Sequence, residues 1–534
     1  MVTGRVGQSS NKKSRADEDI GIYFLNLDIR PQMAGIEISA LNRTKVFGEI
    51  GLKPIILTIG FNNSLHEHAS EVVNKNRAIS SLTVESIYDY YLYDGSWKPA
   101  KLDINYFKNY KRIPVPQKNT DVRLYDLKGN IVGYCRRNEG DLSLSYVNYL
   151  WKGKIIKRET FDSRGFCSRT EVMHPKNEEE ENVTDSYHRP SGMVALFKES
   201  TVKKNVANCN YIAVNDEHGS LSKVFTTDSE WVGHWLESIS TKHSQVIFIV
   251  DRCNELFVPA LNAKRKFPNK VKLIPVMHGV HAGIDPLAGE TNLWYKSAIE
   301  NLSYVDKMVV LTDDQKKDIE ERYDLSSGKL VVIPHSCDSN QRPLSESERR
   351  KNRVVYVARF SPEKNHITAL EIFKKVITRH PSAELVFYGF GQTEEKIREK
   401  IKELDLEKSV KLMPFNQDIK KIYHEATFSI LTSFVEGFCQ GVLESLSYGC
   451  PVVSFNIKYG PSSMIKNDIN GYLVKPGDQA AFADKCSSIL SDPNLAQTLS
   501  KNCSQSVAHY SHSEISRRWS AIFDELNVPT RRER

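Results

Sequence analysis

Short apolar runs recur along this chain between stretches of helical period, and their spacing predicts two blocks of α/β structure separated by a block of another kind. The first block opens with an apolar strand from Ile20 to Leu25 and a helix from about Gly35 to Ile50, whose Ile36, Ala40, Leu41 and Phe47 share one side. Gly51 ends that helix, and Pro54 leads into a strand from Ile55 to Thr58. From about Ser80 to Phe225 the helical period gives way to alternating aromatic and polar residues with turns at Gly129, Gly153 and Gly165, which predicts an inserted antiparallel meander. The α/β pattern then returns with strands at Gln245 to Val250, Leu273 to Met277, Tyr304 to Thr312 and Leu330 to Ile333, and with Asp313 capping a charged helix.

After Ile333-Pro334 the polar stretch QRPLSESERRKN reads as a linker. The second block has strands at Val354 to Ala358, Glu384 to Gly389, Val410 to Met413, Thr427 to Thr432 and Val452 to Phe455. Ser511 to Leu526 then places Ile515, Trp519, Ile522 and Phe523 at helical spacing, as in a packing helix. These patterns divide the chain into a disordered leader at 1–18, a first α/β domain at 19–79 and 226–340, and an inserted sheet at 80–225. A second α/β domain occupies 341–510, and a closing helix with a basic tail occupies 511–534.

Composition narrows the class. The 534 residues are 40% hydrophobic and 26% charged, as expected of a globular chain of two or three domains. No apolar run approaches the ~18 residues of a membrane span, and the start lacks the apolar core of a signal peptide. The expectation is a cytoplasmic protein, free to associate peripherally with the inner face of the membrane. Nine scattered cysteines without a C-x-x-C pair suggest reduced thiols rather than a disulfide framework or a zinc site. The formal charge of +7 fits an anionic substrate or a bilayer surface and gives no reason to expect nucleic acid. The acidic run Glu178 to Glu181 reads as a solvated loop.

Candidate chemistry gathers at strand ends, where open α/β sheets bind ligands. In the run SILTSFVEGFCQGVLESLSYGCPVVSF, Glu436 stands on a loop and Glu444 on the following helix, with Gly437 and Gly441 between them. Carboxylates there suit vicinal hydroxyls, and the glycines allow close approach of the backbone; the alternative is a surface glutamate beside a capping one. Arg359 and Lys364 leave the end of another strand together and suit a diphosphate, although a basic pair also occurs as plain solvated surface. His278 and His281 follow a strand in a glycine-containing loop, as ligand contacts, structural histidines or a metal pair. Gly389-Phe390-Gly391 and Pro414-Phe415-Asn416 end two further strands.

The Glu436-Gly437-Phe438 triplet with Glu444 resembles the signature of retaining nucleotide-sugar glycosyltransferases of family four, which have the GT-B fold of two Rossmann-like domains. Cys439 departs from that pattern, which has a glycine there. The inserted sheet and the loop Lys458-Tyr459-Gly460-Pro461-Ser462 are similar to those of bacterial polyol-phosphate wall-teichoic-acid α-glycosyltransferases and of O-glycosyltransferases acting on serine-rich adhesins. The resemblance implies transfer of glucose or N-acetylglucosamine from a UDP-sugar to polyol-phosphate hydroxyls with retention and without a metal or other cofactor. It implies Arg359 and Lys364 on the departing diphosphate, Glu436 on the sugar, Glu444 on the ribose and His281, ahead of His278, near the reacting centre. Gly35 (with Ala34), Gly389, Phe415, Asn416, Gly437, Phe438 and Gly441 complete the implied donor contacts. A homo-oligomer built through the inserted sheet is expected. The rival readings are a serine-rich protein acceptor, a non-catalytic GT-B partner subunit, and a phosphorylase-like or sucrose-synthase-like use of the fold.

Overall fold

The computed structural model describes residues 20–31, 33, 35–75, 82–92, 102–175, 180–204, 206–325, 328–338, 352–416 and 418–530. The expected leader at 1–18, Ala34, Glu178 and Glu179 of the acidic run, all of the linker but Asn352, and residues 531–534 of the tail lie outside the described residues. The chain forms two compact units, one of residues 1–37 and 54–273 and the other of residues 38–53 and 274–534.

The first unit contains two sheets. Five strands stand in the order Val271–Pro275, Gln245–Val250, Ile20–Asn26, Ile55–Thr58, Thr83–Ser86. Ile20–Asn26 pairs in parallel with Gln245–Val250 on one side and with Ile55–Thr58 on the other. Its residues from Gly21 to Asn26 are all buried, which is why it reads as a continuous apolar run rather than an alternating one. The second sheet has ten antiparallel strands, each paired with its sequence neighbour from Lys111–Val115 to Leu221–Phe225, so the expected inserted meander is present. Its turn glycines Gly129, Gly153 and Gly165 have φ of 85°, 77° and 96°, values at which a side chain would be strained. One end of this sheet has its own core, in which Phe107, Val122, Leu124, Cys135, Leu144, Val147 and Phe161 pack together.

In the second unit six strands stand in the order Val410–Met413, Glu384–Tyr388, Arg353–Val357, Phe428–Leu431, Val452–Phe455, Gly471–Val474, all parallel. The order reverses between Arg353–Val357 and Phe428–Leu431. The loops that follow these two strands therefore emerge side by side and diverge to opposite halves of the sheet, the arrangement that opens a ligand crevice.

The closing helix His512–Glu525 buries Ile515, Trp519, Ile522 and Phe523, the stripe expected from its spacing. Phe47 of the helix Gly35–Glu49 meets Trp519 and Phe523 edge-on, both at 5.2 Å between ring centroids, and Ser516 donates to the Val46 carbonyl at 3.1 Å. One local expectation is corrected. Thr312, not Asp313, caps the helix Asp313–Tyr323, its hydroxyl accepting from the Gln315 N–H at 3.1 Å, and Asp313 is the first helical residue. A threonine in extended conformation aims its hydroxyl back at the third helical N–H, and Asp313 contributes charge near the helix dipole instead.

Candidate functional site

Lys364 and Glu436 meet at the point where strand order reverses. Arg353–Val357 feeds a loop whose short turn Pro362–Lys364 ends at Asn365, left-handed at φ 52°. Its backbone is braced from beneath. The Tyr356 hydroxyl donates to the Lys364 carbonyl at 2.6 Å, and Thr432 donates to the Asn365 carbonyl at 3.0 Å. Lys364 Nζ thereby lies 2.6 Å from Glu436 Oε1, which also accepts from the Ser433 hydroxyl at 2.7 Å. Both side chains are largely withdrawn from solvent, at 18% and 10% exposure, so the attraction is screened less than in a surface pair. Arg359, by contrast, is exposed, with its guanidinium 3.1 Å from Glu363.

The Glu436 loop is clamped through its backbone. A Cβ on Gly437 would lie 2.1 Å from the His278 carbonyl oxygen, so only glycine fits. On the other side the Glu436 N–H donates to the Lys458 carbonyl at 3.0 Å and the Tyr459 N–H donates to the Glu436 carbonyl at 2.7 Å. Cys439 is buried in the left-handed region at φ 70°, where a glycine would be unstrained, and its thiol donates to the Tyr459 carbonyl at 3.4 Å. The cysteine thus occupies a position whose backbone explains the glycine of the family pattern. Phe438 is buried, edge-on to His335 at 5.2 Å.

The helix Gln440–Ser447 buries Val442, Leu443 and Leu446, and Gly449, at φ 74°, ends it. Glu444 on this helix is half-buried, and burial pushes its carboxyl up from 4.5 to about 7, with a hydrogen bond from the Gln440 amide acting in the opposite direction. Between those values the folded protein holds a proton that the unfolded chain releases, so stability falls as pH rises through this window. Glu444→Gln lacks that loss. Relative to wild type the variant is expected to gain about 1–3 kcal/mol between about pH 5 and pH 8 in urea melts; parallel stability curves would contradict it.

The two histidines separate. His281 is 0% exposed, with Nε2 3.0 Å from the Pro286 carbonyl and its ring stacked on Tyr459. Burial lowers its pKa, with the hydrogen bond to the Pro286 carbonyl acting in the opposite direction. The two differ in cover: His281 is sealed beneath Tyr459, whereas His278 is half-buried, its carbonyl against Gly437 and its ring stacked on His335. Among the described residues no group of three or more His, Cys, Asp or Glu is arranged to hold a metal ion.

At the neighbouring strand ends, Gly389 and Gly391 let their loop press on the preceding one, where added Cβ atoms would lie 2.0 Å from the Ala358 carbonyl oxygen and 2.3 Å from that of Phe360. Between them Phe390 is half exposed and meets Phe415 edge-on at 6.2 Å. Asn416 accepts from the Asp418 N–H and shapes the turn into the next helix. Gly441 has ordinary contacts only, at 3.5 Å. Gly35 is exposed at the first position of its helix, in the other compact unit from Glu436.

Sequence reasoning missed Ser433, Asp318 and His335. Ser433 carries no pattern beyond its place three residues before Glu436, and Asp318 reads as one more charge on a charged helix. His335 was visible only as part of a turn. Asp318 and His335 depend on contacts remote in sequence, and Ser433 on the turn that brings it to Glu436. No helix among the described residues is long and apolar enough to cross a membrane.

Residues 338–506 match the family model described as glycosyl transferases group 1. A poly(glycerol-phosphate) alpha-glucosyltransferase of Bacillus subtilis is 24% identical over 95% of this chain and 75% of its own length. A poly(ribitol-phosphate) alpha-N-acetylglucosaminyltransferase of Staphylococcus aureus is 21% identical over 94% of this chain and 99% of its own. Among solved structures, a mutant of S. aureus TarM in complex with Fondaparinux, alpha-GlcNAc-glycerol and UDP superposes with a TM-score of 0.80 at 20% identity, over 95% of this chain and 100% of that one. The pneumococcal O-GlcNAc transferase GtfA in complex with UDP and GlcNAc gives 0.78 at 18% identity, over 96% and 99%. The fold is GT-B.

Proposed function

We propose that this chain, whose residues 338–506 form a glycosyl transferases group 1 domain, moves glucose or N-acetylglucosamine from a UDP-sugar to hydroxyls of a polyol-phosphate wall teichoic acid, with retention at the anomeric carbon. The observation that carries the reading is the ion pair between Lys364 and Glu436 at the reversal of strand order, beside the exposed Arg359. A diphosphate leaving group gains negative charge as the bond from the anomeric carbon to oxygen breaks, and cations already in place stabilise it without reorganisation. Lys364 and Arg359 take that role. Both donors to Glu436 address Oε1, which leaves Oε2 to accept from a sugar hydroxyl.

Glu444 accepts from the ribose, and the Phe390 and Phe415 rings offer apolar surface to the base. His278 takes the place near the sugar that His281 is too buried to fill. In the reaction the acceptor oxygen bonds to the anomeric carbon on the face that the diphosphate leaves, and its proton passes to a departing phosphate oxygen. The polyol-phosphate acceptor is supported by the two relatives named for poly(glycerol-phosphate) and poly(ribitol-phosphate), each aligned over at least 94% of this chain. The similarity to GtfA, named for peptide N-acetylglucosaminyl transfer, supports a serine-rich protein as the second choice. The same reading includes a cytoplasmic homo-oligomer assembled through the ten-stranded sheet, measurable by light scattering.

The test incubates the protein with UDP-glucose or UDP-N-acetylglucosamine, each with and without poly(polyol phosphate), and measures released UDP. Acceptor-dependent release from one donor, an α-linked product by NMR, and turnover unaffected by EDTA are expected. No release from either donor with this acceptor or a serine-rich peptide, alongside retained partner binding, would replace the reading with that of a non-catalytic subunit.

A further inference from the structure

Lys458 and Tyr459 do more than pair with the Glu436 loop. Lys458 Nζ and the Tyr459 hydroxyl both donate to Asp318 Oδ2, at 2.6 and 2.7 Å. Asp318 lies on the helix Asp313–Tyr323, 140 and 141 residues away in sequence, and is only 6% exposed. Tyr459 is 2% exposed and stacks on His281, so neither aspartate nor tyrosine has ready access to water as a substitute partner.

The segment fixed by Asp318 is the one that holds the loop. Two backbone hydrogen bonds join Lys458 and Tyr459 to Glu436, and the Cys439 thiol donates to the Tyr459 carbonyl. A Cβ on Gly460 would lie 1.8 Å from the Phe438 carbonyl oxygen. Three consecutive residues, 458 to 460, thus touch three of the four from 436 to 439, and the first two of them are anchored by one carboxylate.

We infer that Asp318 is a positioning residue for the proposed transfer, acting through Lys458 and Tyr459 to hold the Glu436 backbone and so the Glu436 carboxylate against Lys364. The inference rests on the transferase reading for its kinetic consequence and on geometry for its structural one. Asp318 is buried and acts through Lys458 and Tyr459. Its removal frees the 458–460 segment and lets the Glu436 loop shift toward the misplacement of about 1 Å that proximity catalysis does not tolerate.

The test combines kinetics with hydrogen exchange on the full chain. Asp318→Ala is expected to lower kcat/KM for the UDP-sugar by about ten- to a hundredfold. The same change in a Glu436→Gln background should cost less than about threefold, since the group being positioned is already altered. Amide exchange should quicken in residues 433–441 and stay unchanged in the helix Glu394–Glu403, which lies between the strands Glu384–Tyr388 and Val410–Met413 on the other half of the sheet. Asp318→Asn, which keeps an acceptor for the Tyr459 hydroxyl, should lose less than Asp318→Ala. If Asp318→Ala melts well below wild type, Lys458→Met, which removes a single half-exposed donor, decides by the same measurements. Equal losses in both backgrounds, or unchanged exchange at 433–441, would overturn the inference. If wild type releases no UDP from either donor, the transferase reading fails, and exchange at 433–441 alone decides whether Asp318 holds the loop.

Discussion

Lys364→Ala is expected to lower UDP release by about a hundred- to a thousandfold while leaving the fold intact. Removing one pre-placed donor from a developing negative charge costs roughly this much where water is excluded, and the Lys364 side chain is only 18% exposed. The side chain is not a structural keystone. The turn it stands on is held by its own carbonyl, which accepts from Tyr356, and by Asn365, so the backbone path survives the substitution. What remains is Glu436 with Ser433 as its partner, a partly buried carboxylate short of one charged donor, at a stability cost of about 1–3 kcal/mol. Thermal melts and UDP release on the same preparation check both halves. Turnover within tenfold of wild type would remove Lys364 from the leaving-group role.

Gly437→Ala is expected to reduce turnover by about a hundredfold for a different reason. The added methyl would sit 2.1 Å from the His278 carbonyl oxygen and 2.8 Å from the Gly279 Cα, and both are backbone atoms that no rotamer change can move aside. Relief requires the loop to move. Overpacking of this kind costs about 1–3 kcal/mol, and a displacement near 1 Å separates Glu436 from Lys364 by enough to spoil alignment. Gly441→Ala is the control for stability alone, because its nearest protein atoms are an ordinary 3.5 Å away while the position is itself an expected donor contact. Ala has the better helix propensity, by about 1 kcal/mol, so the control should be at least as stable as wild type. A Gly437→Ala protein with normal turnover would show that the loop tolerates the shift.

The fold was legible where patterns are local. The apolar run at Ile20, the Gly turns of the inserted sheet and the Trp519 stripe each announce an element, because burial on one face imposes its period on neighbouring residues. Within the candidate site, the Glu436 to Glu444 spacing and the strand-end placement of Arg359 and Lys364 could be read in the same way. Cys439 could be marked as a departure, but only its φ of 70° shows why glycine suits that position. How deeply each histidine is buried could not be read, since His278 and His281 share one loop and differ only in what covers them. Tyr459, 178 residues beyond His281, supplies that cover.

Along the chain, then, lie the element types, the strand ends and the residue kinds suited to a nucleotide sugar. Which of these residues meet is a matter of strand order. The reversal between Arg353–Val357 and Phe428–Leu431 brings Lys364 to Glu436 across 72 residues, and packing of the helix Asp313–Tyr323 brings Asp318 to Lys458 across 140. Hydrophobic period reports only how a residue faces its own element. Carboxylates, ammonium groups and hydroxyls act over about 3 Å, so their partners are chosen where separate elements converge, and that convergence exists only in the folded chain.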